Sequence, residues 1–591
     1  MSRLKKSRYW AFLLVLCCFS GMSSCEKKET SVKEVMDKVI AQLYKTTSKE
    51  ELAKLDSEKV MALFSVEDKE ILATRHWMFD ANVAVVVSVM RSKDQKTIPF
   101  WLETKGFKNT RMTMKNEHST YEIWQKSFPA GRIGLGIHGF DNSGLHYFVS
   151  VGPQNKNDQL KLTHFFPENQ FVGVTKDGAF TYHDWDELVL SGVPASMTGQ
   201  KLLTTIRGRA SESYLIGAFR STDHPSSANP DQLLLTWSDD PSTSMDIQWR
   251  TDTTVTAHTL KYREQGANQI FTTDAEQIRM DDRLLMNDRS VSHYTAKLRN
   301  LRPGVNYQYK IDPQTEWTDN NSFTTAAKDN SFSFLWFGDT HFSPKYGEIL
   351  HLAISDYSDA AFYSIVGDLV SDGLHRDQWD NLLEYSKDVI CRYPLMAVPG
   401  NHDNREGLGA KTFRDIFSYP ENAPVGVPKE QTYSFTYKNT LFLMIDATSP
   451  VAAQTPWIDE QLATTKAKWK IAMFHFPPYN WEEPYMDIQK AWVPLFDKYH
   501  VDMVLGGHIH YYMRSKPMKA GKVVSSYNDG TAYIISVGIP QKHFEITNEP
   551  YAEVLNTDGQ LYQYIKIEDG SLSYQSVAFD HKIIDSFKIK K

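Results

Sequence analysis

Five short polar motifs, each placed directly after an apolar run, most constrain what this chain can fold into. Every motif carries Asp, Asn or His, the side chains that bind hard or borderline divalent metals. The motifs are Gly338-Asp339-Thr340-His341, Gly367-Asp368, Gly400-Asn401-His402-Asp403, Phe474-His475-Phe476 and Gly507-His508-Ile509-His510. The apolar runs before them are residues 332–337, 362–366, 395–398, 471–474 and 503–505. Short runs rich in Val, Ile, Phe and Trp are typical of buried β-strands.

The order of these runs and motifs predicts a metal site at one edge of an α/β sheet. Open α/β sheets place their sites at the carboxyl ends of the strands, where each of the five predicted strands would deliver a polar motif. A single Gly-Asp or Gly-His-x-His sequence is more often a turn or a surface histidine. Five motifs in order, all after strands, favour a shared metal centre instead.

The motif set resembles that of the calcineurin-like metallophosphoesterases, a superfamily that includes the purple acid phosphatases. The resemblance implies two divalent metal ions about 4 Å apart, which together generate hydroxide and screen the phosphate charge. Asp368, in the second motif, is the natural bridge between the two ions. By resemblance, the ligands that complete one metal are Asp339, His341 and His510, and those that complete the other are Asn401, His475 and His508.

Three further residues near the third motif have implied or possible roles. By the same resemblance, His402 would act as a general acid toward the leaving group. Asp403 could orient His402 through its free ring nitrogen, although capping of the following turn explains Asp403 equally well. Arg405 could clamp a phosphate oxygen, and the alternative is an ordinary surface arginine.

Two positions depart from the purple acid phosphatase pattern. That family has Tyr three residues after the motif-two Asp, and its phenolate on ferric iron gives the colour; this chain has Ser371 there. That family also has Gly where His341 stands. The motifs therefore look more like the colourless branch, and we expect no charge-transfer band. Imidazole and carboxylate ligands suit Mn²⁺, Fe²⁺ or Zn²⁺.

The chain has 591 residues, too many for one hydrophobic core, so several domains are expected. Residues 229–327 contain short alternating strands, with Trp237 and Trp249 as candidate core residues, and predict an immunoglobulin-like sandwich. This segment resembles the fibronectin type III domain of plant-type purple acid phosphatases. The residues that carry the resemblance are Leu235-Thr236-Trp237, Gln248-Trp249-Arg250-Thr251, Leu301-Arg302-Pro303-Gly304, Tyr307-Gln308-Tyr309 and Phe323-Thr324-Thr325.

The expected fold class is therefore multidomain. An α/β metallophosphoesterase sandwich of mixed sheets flanked by helices would occupy residues 328–591, after the fibronectin-like domain. Residues 25–75 predict a helical segment, in which Ser48 and Glu51 form a capping box for a helix over 49–64. Residues 76–228 predict a β-rich domain whose sequence indicates no function, with a last strand at 214–219. Its acidic-aromatic cluster, Asp184-Trp185-Asp186 beside His183, is more typical of a turn than of a site.

Residues 1–24 are typical of an export signal, with a basic start and a short apolar segment at 10–19. The small residues before Cys25 look like a bacterial lipoprotein box, which would make Cys25 the lipidated residue. The alternative is an ordinary cleaved signal. We therefore expect an exported protein held to the cell envelope, on the periplasmic face or at the outer membrane, by a lipid anchor alone. Cys391 is the one cysteine after Cys25, so no disulfide is expected in the mature body.

Composition and motifs together lead to three functional hypotheses. The net charge of −7 argues against binding of nucleic-acid duplexes through a basic face. The favoured hypothesis is a metal-dependent phosphomonoesterase that acts on a phosphate ester substrate. The alternatives are a phosphodiesterase acting on nucleotides or phospholipid head groups, and a catalytically inactive surface-binding protein. The inactive protein would be expected to have lost ligands, and all seven positions are filled.

Overall fold

The computed structural model describes residues 30–142, 145–168, 170–182, 185–256, 259–312, 315–405, 407–482, 485–536, 538 and 549–591. The predicted signal segment, the predicted lipid site at Cys25, and His183 and Asp184 lie outside the described residues. In the part of the chain that is described, no helix has the length and apolar character needed to cross a membrane.

Helices open the described chain. They are α1 (Val32–Thr46), α2 (Lys49–Leu52), α3 (Ser57–Ala62) and α4 (Val66–Thr74). The capping box of Ser48 with Glu51 is present, but the single helix predicted over 49–64 is wrong. The chain leaves the helix after Leu52 and begins a new one at Ser57, because the side chain of Asp56 caps the Lys59 amide.

Antiparallel sheets follow the helices. Their elements are β1 (Trp77–Ala81), β2 (Val85–Ser92), α5 (Phe100–Thr104), β3 (Lys108–Lys115), β4 (Thr120–Phe128), β5 (Gly131–Leu135), β6 (Phe148–Pro153), β7 (Leu162–Phe166), β8 (Phe171–Val174), β9 (Phe180–Tyr182), β10 (Trp185–Val189), β11 (Lys201–Thr204) and a 3-10 helix, Arg207–Ser213. Among the described residues of this region, the largest sheet has six strands in the order β3-β4-β2-β6-β11-β8. The strand predicted for 214–219 is wrong: Leu215 is instead buried against the N-terminal helices.

A sandwich of two antiparallel sheets comes next. Its strands are β12 (Asp231–Thr236), β13 (Met245–Asp252), β14 (Thr259–Glu264), β15 (Phe271–Asp274), β16 (Glu276–Asp281), β17 (Ser290–Leu298), β18 (Asn306–Asp312) and β19 (Ser322–Thr324). The sheet orders among the described residues are β12-β13-β17-β16 and β15-β14-β18-β19. Trp237 and Trp249 are buried as expected. Trp237 contacts Phe362 of the following domain, so the two domains share one continuous core.

The last domain consists of mixed sheets with helices between the strands. Its elements are β20 (Phe332–Phe337), α6 (Pro344–Asp356), β21 (Ala360–Val366), α7 (Arg376–Ile390), β22 (Leu395–Val398), α8 (Lys411–Ile416), β23 (Tyr433–Tyr437), β24 (Thr440–Ile445), α9 (Val451–Thr464), β25 (Trp469–Phe474), α10 (Met486–Ala491), α11 (Val493–Tyr499), β26 (Met503–Gly506), β27 (Tyr512–Ser515), β28 (Met518–Lys519), β29 (Lys522–Val523), β30 (Ala532–Ile535), β31 (Ala552–Asn556), β32 (Leu561–Glu568), β33 (Ser571–Ala578) and β34 (Ile583–Lys590). The predicted fold class is confirmed.

Two sheets of this domain bring the five motifs to one edge. In the described residues their orders are β22-β21-β20-β32-β33-β34 and β23-β24-β25-β26-β30-β27-β31. Strands β20, β21 and β22 are parallel neighbours, and so are β25 and β26. The sheets pack face to face through aromatic contacts such as Phe334 with Phe442, at 5.3 Å between ring centroids. The carboxyl ends of all five motif-bearing strands therefore meet.

Candidate metal centre

Six of the seven predicted metal ligands form two compact groups. Within each group, the ligand atoms lie within 4.8 Å of one another. The first group is Asp339, His341 and His510, and the second is Asp368, His475 and His508. The seventh predicted ligand, Asn401, joins the second group, because its Oδ1 lies 3.1 Å from Nε2 of His475.

Asp368 belongs to the second group and also lies close to the first, as a bridging carboxylate must. Its Oδ2 is 3.2 Å from Nε2 of His475 in the second group and 3.8 Å from Nε2 of His341 in the first. Asp339 has a comparable position, with its Oδ1 3.6 Å from Nε2 of His510 and 4.0 Å from Nε2 of His475. The carboxylate of Asp368 is thus close enough to bind a metal in each group.

The ring of His341 fits a metal ligand better than a hydrogen-bonded histidine. Its Nδ1 lies 3.1 Å from Oγ of Ser371, which fixes the ring. Its Nε2 is buried and makes no hydrogen bond within the described chain. The 3.8 Å separation from Asp368 is too long for a hydrogen bond. It suits two ligands that each bond to one ion at about 2.0–2.2 Å.

His475 is held in a similar way by the backbone. Its Nδ1 lies 2.9 Å from the carbonyl oxygen of Val366, which can only accept, so Nδ1 carries the proton. Nε2 is then left to face the centre. Such contacts to the second ring nitrogen are the usual means of orienting metal-binding histidines. The imidazole and oxygen donors therefore fit Mn²⁺, Fe²⁺ or Zn²⁺.

Four predicted ligands have strained backbones. Their φ angles are +47° for Asp339, +45° for His341, +52° for Asp368 and +68° for His508. Non-glycine residues rarely adopt this left-handed conformation, which costs of order 1–3 kcal/mol each and concentrates at functional sites. The strain turns each side chain sharply at the end of its strand, into the space that the motifs share.

Two glycines of the motifs allow the ligand carboxylates to come close. A Cβ on Gly400 would lie 2.2 Å from Oδ1 of Asp368, and a Cβ on Gly507 would lie 2.4 Å from Oδ2 of Asp339. Both distances are impossible for real side chains. The glycines are therefore required by the proximity of these carboxylates, in addition to any need for a turn.

Opposite charges stabilise each other at the centre. Burial opposes ionisation of Asp368, but the imidazoles of His475, His402 and His341 hold the pKa of its carboxyl well below the usual range. Burial likewise opposes the charge on His475, but Asp368 and Asp339 raise the pKa of its imidazole to about 9. The negative field that retains this proton would equally favour a divalent cation, which displaces protons from its ligands.

His402 lies beside the two ligand groups and is more exposed than they are. Its Nε2 is 4.0 Å from Oδ2 of Asp368, and 39% of its side chain is exposed. Its Nδ1 donates to the carbonyl oxygen of Ser371 at 2.9 Å. Because that bond uses the Nδ1 proton, the second nitrogen can donate only when the ring is an imidazolium. This arrangement directs Nε2 toward the centre.

The proposed contact between Asp403 and the His402 ring is wrong, because the Ser371 carbonyl takes that place. The Asp403 carboxylate instead accepts three backbone N–H groups, from Leu369 at 3.1 Å, Val370 at 3.0 Å and Gly400 at 2.9 Å. It therefore ties the second motif to the third. Burial and the nearby Asp368 raise the pKa of its carboxyl to about 7.

Sequence reasoning missed the loop that supports His341 and His402. Oε1 of Gln378, in α7, accepts the backbone amides of Ser371 at 2.9 Å and Asp372 at 2.8 Å. Arg405, the predicted phosphate clamp, has its Nε 3.1 Å from Oδ2 of Asp372, so it braces the same loop. Its contact with substrate stays a prediction. In the sequence, Ser371 stands out only because a tyrosine occupies that position in the purple acid phosphatases. No local sequence pattern identifies Gln378.

Comparisons with known proteins agree with this architecture. Residues 332–512 match the family described as calcineurin-like phosphoesterase, and residues 230–325 match that described as purple acid phosphatase, N-terminal domain. The chain is 23% identical over 325 residues to an uncharacterized protein of Mycobacterium tuberculosis, which covers 47% of this chain and 60% of that protein. It is 28% identical over 222 residues to phosphoenolpyruvate phosphatase of Allium cepa, covering 35% and 43% respectively.

These relatives are matched over less than two thirds of their own length. Among solved structures, purple acid phosphatase PPD1 from yellow lupin (Lupinus luteus) seeds is similar, with a TM-score of 0.55 and 14% sequence identity. That alignment covers 88% of this chain and 91% of the lupin chain. At this identity the likeness shows the fold.

Proposed function

Because this chain carries a calcineurin-like phosphoesterase domain behind a purple acid phosphatase N-terminal domain, we propose that it is a metal-dependent phosphoric ester hydrolase, most active on phosphomonoesters. The observation that carries the proposal is the position of Asp368 between two groups of metal-binding side chains. Nε2 of the candidate proton donor His402 lies 4.0 Å from the same carboxylate.

The bound pair of divalent cations would supply hydroxide at neutral pH and neutralise the charge of the phosphate. Residues Asp339, His341 and His510 would hold one cation, and Asn401, His475 and His508 the other, with Asp368 shared. Asn401 contributes a neutral oxygen, so the centre keeps positive charge toward an anionic substrate. Mn²⁺, Fe²⁺ or Zn²⁺ fits these donors.

The chain's own contribution to bond cleavage comes from His402. As an imidazolium it donates the Nε2 proton to the oxygen of the departing alcohol, while the Ser371 carbonyl holds Nδ1. General acid catalysis of this kind contributes about 10²–10⁴-fold. The donated proton is worth most for an alcohol with a high pKa, because such a leaving group departs poorly as an anion.

The test is steady-state hydrolysis of p-nitrophenyl phosphate and bis(p-nitrophenyl) phosphate by the protein from Glu26 onward. We expect about two metals per chain and faster turnover of the monoester. Faster turnover of the diester would replace the monoesterase proposal with a phosphodiesterase. Absence of metal and of turnover, even after addition of Mn²⁺, Fe²⁺ or Zn²⁺, would favour the surface-binding alternative.

The variant Asp368→Ala tests whether activity depends on the proposed shared carboxylate. We expect it to lose both metals and all turnover, because one carboxylate serves both groups. Asp569→Ala is a suitable control, since Asp569 is an acidic residue in the exposed β32–β33 turn. Full activity of Asp368→Ala would contradict the proposed centre.

We also propose that the protein is exported and held to the cell envelope through a lipid on Cys25. The basic start, the short apolar segment and the small residues before Cys25 support this proposal. Cys25→Ser should release the protein from the membrane fraction without changing its turnover. Membrane association that survives this substitution would contradict lipid anchoring.

A further inference from the structure

Two aromatic side chains lie directly beside the candidate metal centre. Phe476 follows the candidate ligand His475, and Tyr485 is the residue just before α10, where its side chain makes no capping hydrogen bond. Their rings stack with 4.7 Å between centroids and 16° between planes. Both rings meet the imidazole of the ligand His508 edge to face, at 4.8 Å from Phe476 and 5.9 Å from Tyr485. We call Phe476 and Tyr485 the aromatic pair.

The aromatic pair is partly exposed, unlike most aromatic side chains nearby. Tyr479 and Tyr511 are 9% and 1% exposed. Tyr479 packs on Tyr533 at 4.6 Å, and Trp481 stacks on Tyr511 at 5.8 Å. The aromatic side chains of the loop at 477–481 therefore pack mainly against neighbouring aromatic side chains. Trp481, Phe476 and Tyr485 are all half-buried, but only the last two contact the ring of the candidate ligand His508 among these three.

Apolar surface continues outward from the aromatic pair. Met486, the next residue after Tyr485, is 48% exposed. Soluble proteins expose single apolar side chains without consequence, but connected apolar surface at a site edge often marks a binding surface. A phosphate group over the metal centre would leave its alcohol to extend along one wall of the cleft. The wall beside His508 is aromatic.

We propose that the aromatic pair binds the aromatic ring of a phosphate monoester, which is the aryl group of an aryl phosphate or the base of a nucleoside phosphate. This inference rests on the proposed hydrolase function and specifies its substrate class. Aromatic side chains stack on such rings with a preference worth about 1–3 kcal/mol per ring. The two rings lie 4.8 Å and 5.9 Å from the His508 ring, between centroids. The aromatic ring of a substrate could therefore contact them while its phosphate stays at the metal centre.

The test compares three monoesters: phenyl phosphate, a nucleoside 5′-monophosphate and glycerol phosphate. In Phe476→Leu and Tyr485→Leu, we expect KM for the two aromatic esters to rise about tenfold, as the loss of one stacked ring implies. KM for glycerol phosphate should stay unchanged, as should metal content. Tyr485→Phe keeps the ring and should behave as the unmodified protein.

An equal change for all three esters would overturn the inference, because it would assign the aromatic pair to packing alone. If phenyl phosphate and the nucleotide both respond, the ring itself is recognised. A response of the nucleotide alone identifies the nucleoside source, and a response of phenyl phosphate alone identifies the aryl source. Either supports an aromatic subsite.

A binding experiment separates failure of this inference from failure of the hydrolase proposal. Phenylphosphonate and methylphosphonate carry a carbon–phosphorus bond, so they report binding to the metal-loaded protein without turnover. We expect phenylphosphonate to bind about tenfold more tightly, and Tyr485→Leu to remove the difference. Equal affinities would overturn the inference even if esters are hydrolysed. The expected difference in a protein that hydrolyses nothing would support the subsite and reject the hydrolase.

Discussion

Gln378 is expected to position His402, the candidate proton donor, and His341, a candidate metal ligand, through the loop that carries Ser371. Its Oε1 accepts the amides of Ser371 and Asp372. Ser371 in turn contacts His341 through Oγ and His402 through its carbonyl oxygen. Gln378→Met keeps the length of the side chain and removes the acceptor. The loop that carries Ser371 then loses two hydrogen bonds.

The size of the effect follows from those two bonds. Each intramolecular hydrogen bond contributes about 1 kcal/mol net, so the loop is destabilised by about 2 kcal/mol. If the whole amount appears in positioning of His341 and His402, kcat/KM falls by up to about 30-fold, because 1.4 kcal/mol corresponds to tenfold. Affinity for one of the two metals should fall as well.

The assay measures kcat and KM on p-nitrophenyl phosphate as a function of metal concentration. Gln378→Glu retains an acceptor at the same place and should recover most of the lost activity. Thermal unfolding of both variants checks that the domain remains folded. Wild-type kcat/KM and metal affinity in a folded Gln378→Met variant would refute the positioning role.

Three further outcomes are expected. His402→Ala should keep both metals and lose rate, most for esters with poor leaving groups; equal losses for p-nitrophenyl and alkyl phosphates would contradict proton donation. Burial, with the neighbouring Arg250, lowers the pKa of His293 from 6.5 to about 3. Below pH 6.5 the His293 imidazole is therefore protonated in the unfolded chain but stays neutral in the folded chain. The free energy of unfolding falls as the pH drops. The loss is about 2 kcal/mol by pH 5, and His293→Leu should show a smaller decrease in Tm between pH 7 and pH 5; an unchanged decrease would contradict it. Iron-loaded protein should lack a phenolate charge-transfer band, because Ser371 has no phenol; a visible band would contradict this assignment.

The strands and the grouping of the candidate ligands were predictable because their signals are local. The apolar run at 332–337 coincides with β20, whose six residues are all buried, since a strand covered on both faces needs apolar side chains on both. The ligands follow such runs directly, so strand order alone brings them to one edge. Asp368 could be placed between the groups for the same reason.

The supporting contacts were not predictable because they depend on how loops fold back. Asp403 reaches the amides of Leu369 and Val370, which are more than 30 positions away in the sequence. Its spacing from His402 gave no indication of this. The break after Leu52 shows the same limit, since Asp56 and its cap interrupt a segment whose apolar spacing would also suit one helix.

The most direct test of the central claim is a crystal structure of the protein loaded with Mn²⁺ or Zn²⁺, with the ions located by anomalous scattering. We predict two ions about 4 Å apart, both bonded to the carboxylate of Asp368. Asn401 should bond to the ion of the His475 group, and His341 to the other. A single ion, or two ions that do not share Asp368, would contradict the account.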